Sequence, residues 1–86
     1  MELKVSSKSI PQSVAGMIVA MVKEDKQITI STIGAGAVNQ AIKAVIIANG
    51  YLASLGKRAK IEPFFYELEV EDKEISAIKL KLIVEE

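Results

Sequence analysis

Ile33-Gly34-Ala35-Gly36-Ala37-Val38-Asn39-Gln40-Ala41-Ile42-Lys43-Ala44-Val45 carries an apolar strand through two glycines into a helix with almost no connecting loop. Glycine has no Cβ to hold a ligand away from the backbone, and the first turn of a helix leaves its N–H groups unpaired at the positive end of the macrodipole. The turn can therefore face an anion such as phosphate. Its spacing is G-x-G-x-x-N. Asn39 stands where the dinucleotide fingerprint has its third glycine, and no acidic residue follows about 20 positions on to hold a ribose. No nucleotide cofactor is expected. A second reading stays open, in which the glycines only let the helix pack closely on the sheet.

Upstream of the turn, Gln27 to Ile33 alternates Ile28 and Ile30 with polar residues and reads as a strand. Downstream, the helix runs from about Ala35 or Ala37 to Tyr51 or beyond. Its stripe of Val38, Ala41, Ile42, Val45, Ala48 and Leu52 should lie on the sheet, with Asn39, Gln40 and Lys43 pointing away. Ala44, Ile47 and Tyr51 fall between these faces. They form an apolar patch that a second copy of the chain could cover, unless Leu52 to Arg58 folds back over it.

Further out on the N-terminal side, Leu3 to Ser6 is a short strand. Ser9-Ile10-Pro11-Gln12 then resembles a capping box that starts a helix running to about Asp25. The helix stripe is Val14, Met17, Ile18, Met21 and Val22. Two strands joined by a helix imply a parallel pair. On the C-terminal side, Phe64, Tyr66, Leu68 and Val70 alternate with Phe65, Glu67, Glu69 and Glu71. The return strand alternates Ile78, Leu80, Leu82 and Val84 with Ala77, Lys79, Lys81 and Ile83. Matching the two apolar faces pairs Leu68 with Ile78 and Glu67 with Lys79, leaving Asp72-Lys73-Glu74 as a three-residue loop. Pro63 should sit at a bulge or edge near the start of that third strand. The expected fold is an α+β two-layer sandwich of order β-α-β-α-β-β, with both helices on one face of a four-stranded mixed sheet.

Composition narrows the function. The 86 residues suit one domain spanning 1–86, small enough that oligomerisation is a natural way to add buried area. The longest apolar runs are broken before membrane-spanning length. Met1-Glu2-Leu3-Lys4-Val5 reads as a strand rather than a leader, so the cytoplasm is the expected compartment. With no cysteine there is no thiol catalysis or disulfide, and with no histidine the commonest metal ligand and general base are missing. No metal site is expected, and an enzyme is disfavoured; Lys8 or Lys43 as a base would need a depressed pKa. Net charge is zero but unevenly spread. Eight basic residues face three acidic ones through residue 61, and three face eight beyond it. Such a split can orient a polyanion or mediate self-association.

Lys4-Val5-Ser6, Lys8-Ser9-x-Pro11-x-Ser13-Val14-Ala15-Gly16, the long glycine-turn segment through Ala44, and Ala77-Ile78-Lys79-Leu80 together resemble the stage V sporulation protein S family over essentially the whole chain. That family is similar in fold to the Alba chromatin proteins. The resemblance implies a small, homodimeric or higher homo-oligomeric, nucleic-acid-binding bacterial regulator connected with sporulation. Carried over, an Alba-like surface for DNA or RNA would use Ser6, Ser7, Lys8 and Ser9 after the first strand, with Gly34, Gly36, Asn39, Gln40 and Lys43 at the start of the second helix. Lys8 and Lys43 would neutralise phosphates, Asn39 and Gln40 could donate to phosphate or a base edge, and the serine hydroxyls could reach backbone oxygens. Equally, Ser9 could simply cap a helix. One departure is plain: Alba proteins present a basic hairpin, whereas Glu71-Asp72-Lys73-Glu74 would be repelled by phosphate. Binding is therefore expected to be weak or salt-sensitive. The alternative is a protein-interaction adaptor that kept the fold without strong nucleic-acid affinity.

Overall fold

The computed structural model describes all 86 residues. The elements are β1 (Glu2–Val5), α1 (Pro11–Lys23), β2 (Ile28–Thr32), α2 (Ala35–Leu52), a 3-10 turn (Ala53–Leu55), β3 (Arg58–Val70) and β4 (Lys73–Glu85). They build one mixed sheet of order β1-β2-β4-β3, with β1 parallel to β2 and the other pairings antiparallel. Alternation sends Leu3, Val5, Ile28, Ile30, Leu80 and Leu82 to one face. There they meet Val14, Ile18 and Val22 of α1 and Val45, Ala48 and Leu52 of α2 in a single core. The expected α+β architecture is the one observed. No helix is long and apolar enough to cross a membrane.

Each helix ends on a recognisable backbone device. After α1, Asp25 takes φ 61°, its N–H donates to the Val22 carbonyl at 3.0 Å, and the Lys26 N–H donates to that of Met21 at 3.1 Å. These are the two bonds of a Schellman motif, and they stop the helix at Lys23, two residues before its expected end. After α2, Gly56 takes φ 70° and the chain enters β3 at Arg58. Asn49 secures that entry: its Oδ1 accepts from the Ala59 N–H at 2.8 Å and its Nδ2 donates to the Ala59 carbonyl at 3.0 Å. Leu52 to Arg58 thus leads into the sheet rather than folding back over the helix.

Several expectations are corrected. Ser9 does not cap α1, whose N-cap is Ile10 with no side-chain bond. Instead its Oγ accepts from the Ser6 N–H at 2.9 Å, closing the loop in which it lies. Met17 is exposed, and Ala15 takes its place in the buried stripe. Ala44 is fully buried, so it belongs to the core and not to an external patch, whereas Ile46 is 66% exposed. Pro63 lies within an edge strand, as its missing N–H requires, but as its sixth residue and opposite Leu80.

The largest correction is the hairpin register. Val70 pairs with Lys73, leaving Glu71 and Asp72 as a two-residue turn with φ 51° and 63°. Positive φ at both central residues is the type I′ geometry, whose twist matches that of the strands. Leu68 therefore faces Ile75, and Glu67 faces Ser76 rather than Lys79. The shift relative to the expected pairing is odd, so Phe64, Tyr66 and Leu68 lie on the opposite face of the sheet from Leu80 and Leu82. Apolar residues sit on both faces of β4, Ile75 and Ala77 on one and Ile78 and Leu80 on the other, so apolar matching alone leaves the register undetermined.

Candidate nucleic-acid interface

The turn between β2 and α2 requires glycine twice, for different reasons. Gly34 has φ 89° and ψ 157°, a region essentially closed to residues with a Cβ. Gly36 is needed for space. A Cβ built there would lie 2.9 Å from the Ser7 Cβ. The close approach is thus between the start of α2 and the loop after β1, not between α2 and the sheet.

That loop is held in shape by its own serines. The Ser9 N–H donates to the Ser6 carbonyl at 3.1 Å, the Lys8 N–H donates to Ser6 Oγ at 3.2 Å, and Gln40 Nε2 donates to the Ser9 carbonyl at 2.9 Å. Gln40 is accordingly a tie between loop and helix, and Ser6 and Ser9 serve the loop. The residues left facing solvent are Ser7, Lys8, Asn39 and Lys43, the last two one turn apart on α2. Neither Lys8 nor Lys43 takes part in an ion pair. No side chain caps the first turn of α2 either, so its leading amides have no side-chain partner. The two segments expected to share a surface do adjoin. Of the residues expected to form an apolar interface, Tyr51 is 53% exposed and Ile47 half-buried. Ile47 lines a groove with Ile10, Pro11, Lys43 and the exposed Ile46.

Below the loop, a cavity of about 480 Å³ opens on the sheet face that carries no helix. Ser6 and Ser9 border it on one side, and Lys4 of β1, Ser31 of β2, Lys79 of β4 and Tyr66 of β3 form its floor. Lys79 Nζ sits 4.7 Å from the centre of the Tyr66 ring and 3.1 Å from Glu2 Oε2. Sequence reading did not bring these residues together, because apolar matching of the hairpin set Tyr66 on the face of Leu80 and Leu82 rather than beside Lys79. Alternation of Glu2 and Lys4 with Leu3 and Val5 was the signal that this face is open.

At the far end of the sheet, the acidic C-terminus folds onto basic residues. Lys60 Nζ lies 2.8 Å from Glu85 Oε1, and this hydrogen bond and charge hold the Glu85 carboxyl below its ordinary range. Part of the charge asymmetry along the chain is thereby cancelled locally. A family model described as Stage V sporulation protein S (SpoVS) matches residues 1–85.

Proposed function

Because the chain belongs to the stage V sporulation protein S family, a sporulation-related family of small proteins, we propose that it is a nucleic-acid-binding regulatory protein. It grips the phosphate backbone of DNA or RNA with the β1–α1 loop and the start of α2. The observation that carries this reading is the tie between the two segments, through Gln40 Nε2 to the Ser9 carbonyl and the contact of Gly36 with Ser7. It sets Lys8, Asn39 and Lys43 on one exposed rim beside the uncapped amides of α2. Lys8 beside the helix N-terminus and Lys43 further along the helix, both without carboxylate partners, suit a run of phosphate oxygens. The protein binds rather than catalyses, and it works in the cytoplasm as a homodimer. The exposed Ile46 and Tyr51, flanking half-buried Ile47, support that contact.

The test is a titration of short duplex DNA, single-stranded DNA and RNA at two salt concentrations, with Lys8→Glu and Lys43→Glu alongside. Affinity is expected to fall with salt, and each variant to weaken binding and lower the salt slope by about 1. Sedimentation of the same samples is expected to give twice the 9.3 kDa chain mass. If nothing binds at low salt while the variants stay folded, the adaptor reading replaces this one. The exposed acidic tip, Glu71 and Asp72, is the observation in its favour.

A further inference from the structure

Lys4, Ser31, Lys79 and Phe64 occupy consecutive cross-strand positions on the sheet face that no helix covers. At about 4.8 Å per strand the row is about 14 Å wide. Tyr66 follows Phe64 along β3 on the same face, opposite Ala77, and Phe64 is 44% exposed. The observed register also sorts charge. Glu67, Glu69 and Glu74 fall on the helix side of the hairpin, whereas Lys73, Lys79 and Lys81 fall on the open side. The carboxylates that share the open side are Glu2, Glu62 and Glu85. Glu2 is bound to Lys79 and Glu85 to Lys60, while Lys4 and Lys81 stay out of any ion pair.

We infer that this open face binds single-stranded nucleic acid, with unpaired bases on Phe64 and Tyr66 and phosphates passing Lys4 toward the β1–α1 loop. The inference rests on the proposed phosphate grip at Lys8 and adds a second contact surface to it. Four features carry it. The face offers aromatic rings flanked by lysines, the arrangement by which single strands stack and are neutralised. It belongs to a four-stranded sheet, the arrangement on which RNA-binding sheets stack two or three bases. The cavity joins Tyr66 and Lys79 to Ser6 and Ser9, so the backbone has a continuous path to the loop. A duplex keeps its bases stacked inside and would meet the acidic tip if gripped by the hairpin, whereas a single strand can lie along the face without reaching Glu71 and Asp72.

The experiment is fluorescence anisotropy with labelled 12-mer single strands of RNA and DNA, the same strands carrying abasic positions, and a 12-base-pair duplex. The proteins are wild type, Phe64→Leu, Tyr66→Leu and Lys8→Glu. Leucine keeps apolar bulk and removes the ring, and Phe64→Leu changes a half-exposed side chain, so folding is preserved there even if Tyr66→Leu is disruptive. Single strands are expected to bind at least 10-fold tighter than the duplex. Phe64→Leu should weaken the intact strand about 10-fold without altering the salt slope, and leave the abasic strand unchanged. Equal binding of duplex and single strand, lost in Lys8→Glu yet indifferent to Phe64→Leu, overturns this inference and leaves the phosphate grip standing. Dissociation of a dimer by Phe64→Leu overturns it as well, because the face is then an interface between copies. Absence of all binding by the wild type removes both readings.

Discussion

At the scale of single residues, the two glycines of the β2–α2 turn divide the labour. Gly34 supplies a backbone conformation, and Gly36 supplies room for Ser7. Gly36→Ala would gain helix propensity worth up to about 1 kcal/mol. Forcing a Cβ against another at 2.9 Å costs about 1–3 kcal/mol. The loss should win, by about 1 kcal/mol, with the loop displaced because the opposing atom is the base of a side chain and cannot swing away. Urea denaturation checks the sign, and amide shifts from Ser6 to Ser9 check the displacement. A raised midpoint would mean that the close approach constrains nothing. Glycine at both positions was legible in the sequence as a turn that brings a helix close. What it brings close was not, because the partner residue lies 29 positions earlier and carries no pattern of its own.

Among elements, those with a single apolar face were readable. β1, β2 and both helices lie where periodicity places them, and the parallel pairing follows from their connection. Errors gather where two faces are apolar. In α2 the buried face is built from Ala37, Ala41, Ala44 and Ala48, small side chains whose burial hydrophobicity does not flag, so Ala44 was expected in an external patch. In the hairpin, apolar residues on both sides of β4 permit an odd slip. The decision falls to the turn, where Glu71 and Asp72 adopt a left-handed conformation that costs residues other than glycine about 1–2 kcal/mol each. Replacing Glu71-Asp72 by Asn-Gly should therefore stabilise the protein by about 1 kcal/mol while keeping Val70 opposite Lys73. Chemical denaturation with cross-strand NOEs checks both halves of that statement. A three-residue loop in the variant would show that the native register depends on something other than the turn. The candidate site was similarly half legible: its two segments could be picked out, but the bond from Gln40 to the Ser9 carbonyl that ties them together could not.

For the whole molecule, the charge division along the chain does not become two oppositely charged halves in space. Lys60 meets Glu85, Lys57 meets Glu86 and Lys79 meets Glu2, so part of each half is neutralised by the other. What survives is a rim around Lys8 and Lys43, an acidic turn at Glu71 and Asp72, and a hairpin whose two sides differ in sign. Its 13-residue strands, at about 3.4 Å per residue, account for the longest dimension of a body measuring 45 × 21 × 16 Å. β2 supports β4 only from Ile78 to Leu82, so from Lys73 to Ala77 the return strand has β3 as its sole neighbour. A two-stranded ribbon by itself is barely stable in water. Two rates of breathing are therefore expected. Amides of Leu68 to Ala77 should exchange with deuterium through local opening of the ribbon, at a free energy well below that guarding Ile30 and Leu80. Exchange at one common free energy would mean that ribbon and body open together. The arm would then loosen while the platform beneath it stays folded.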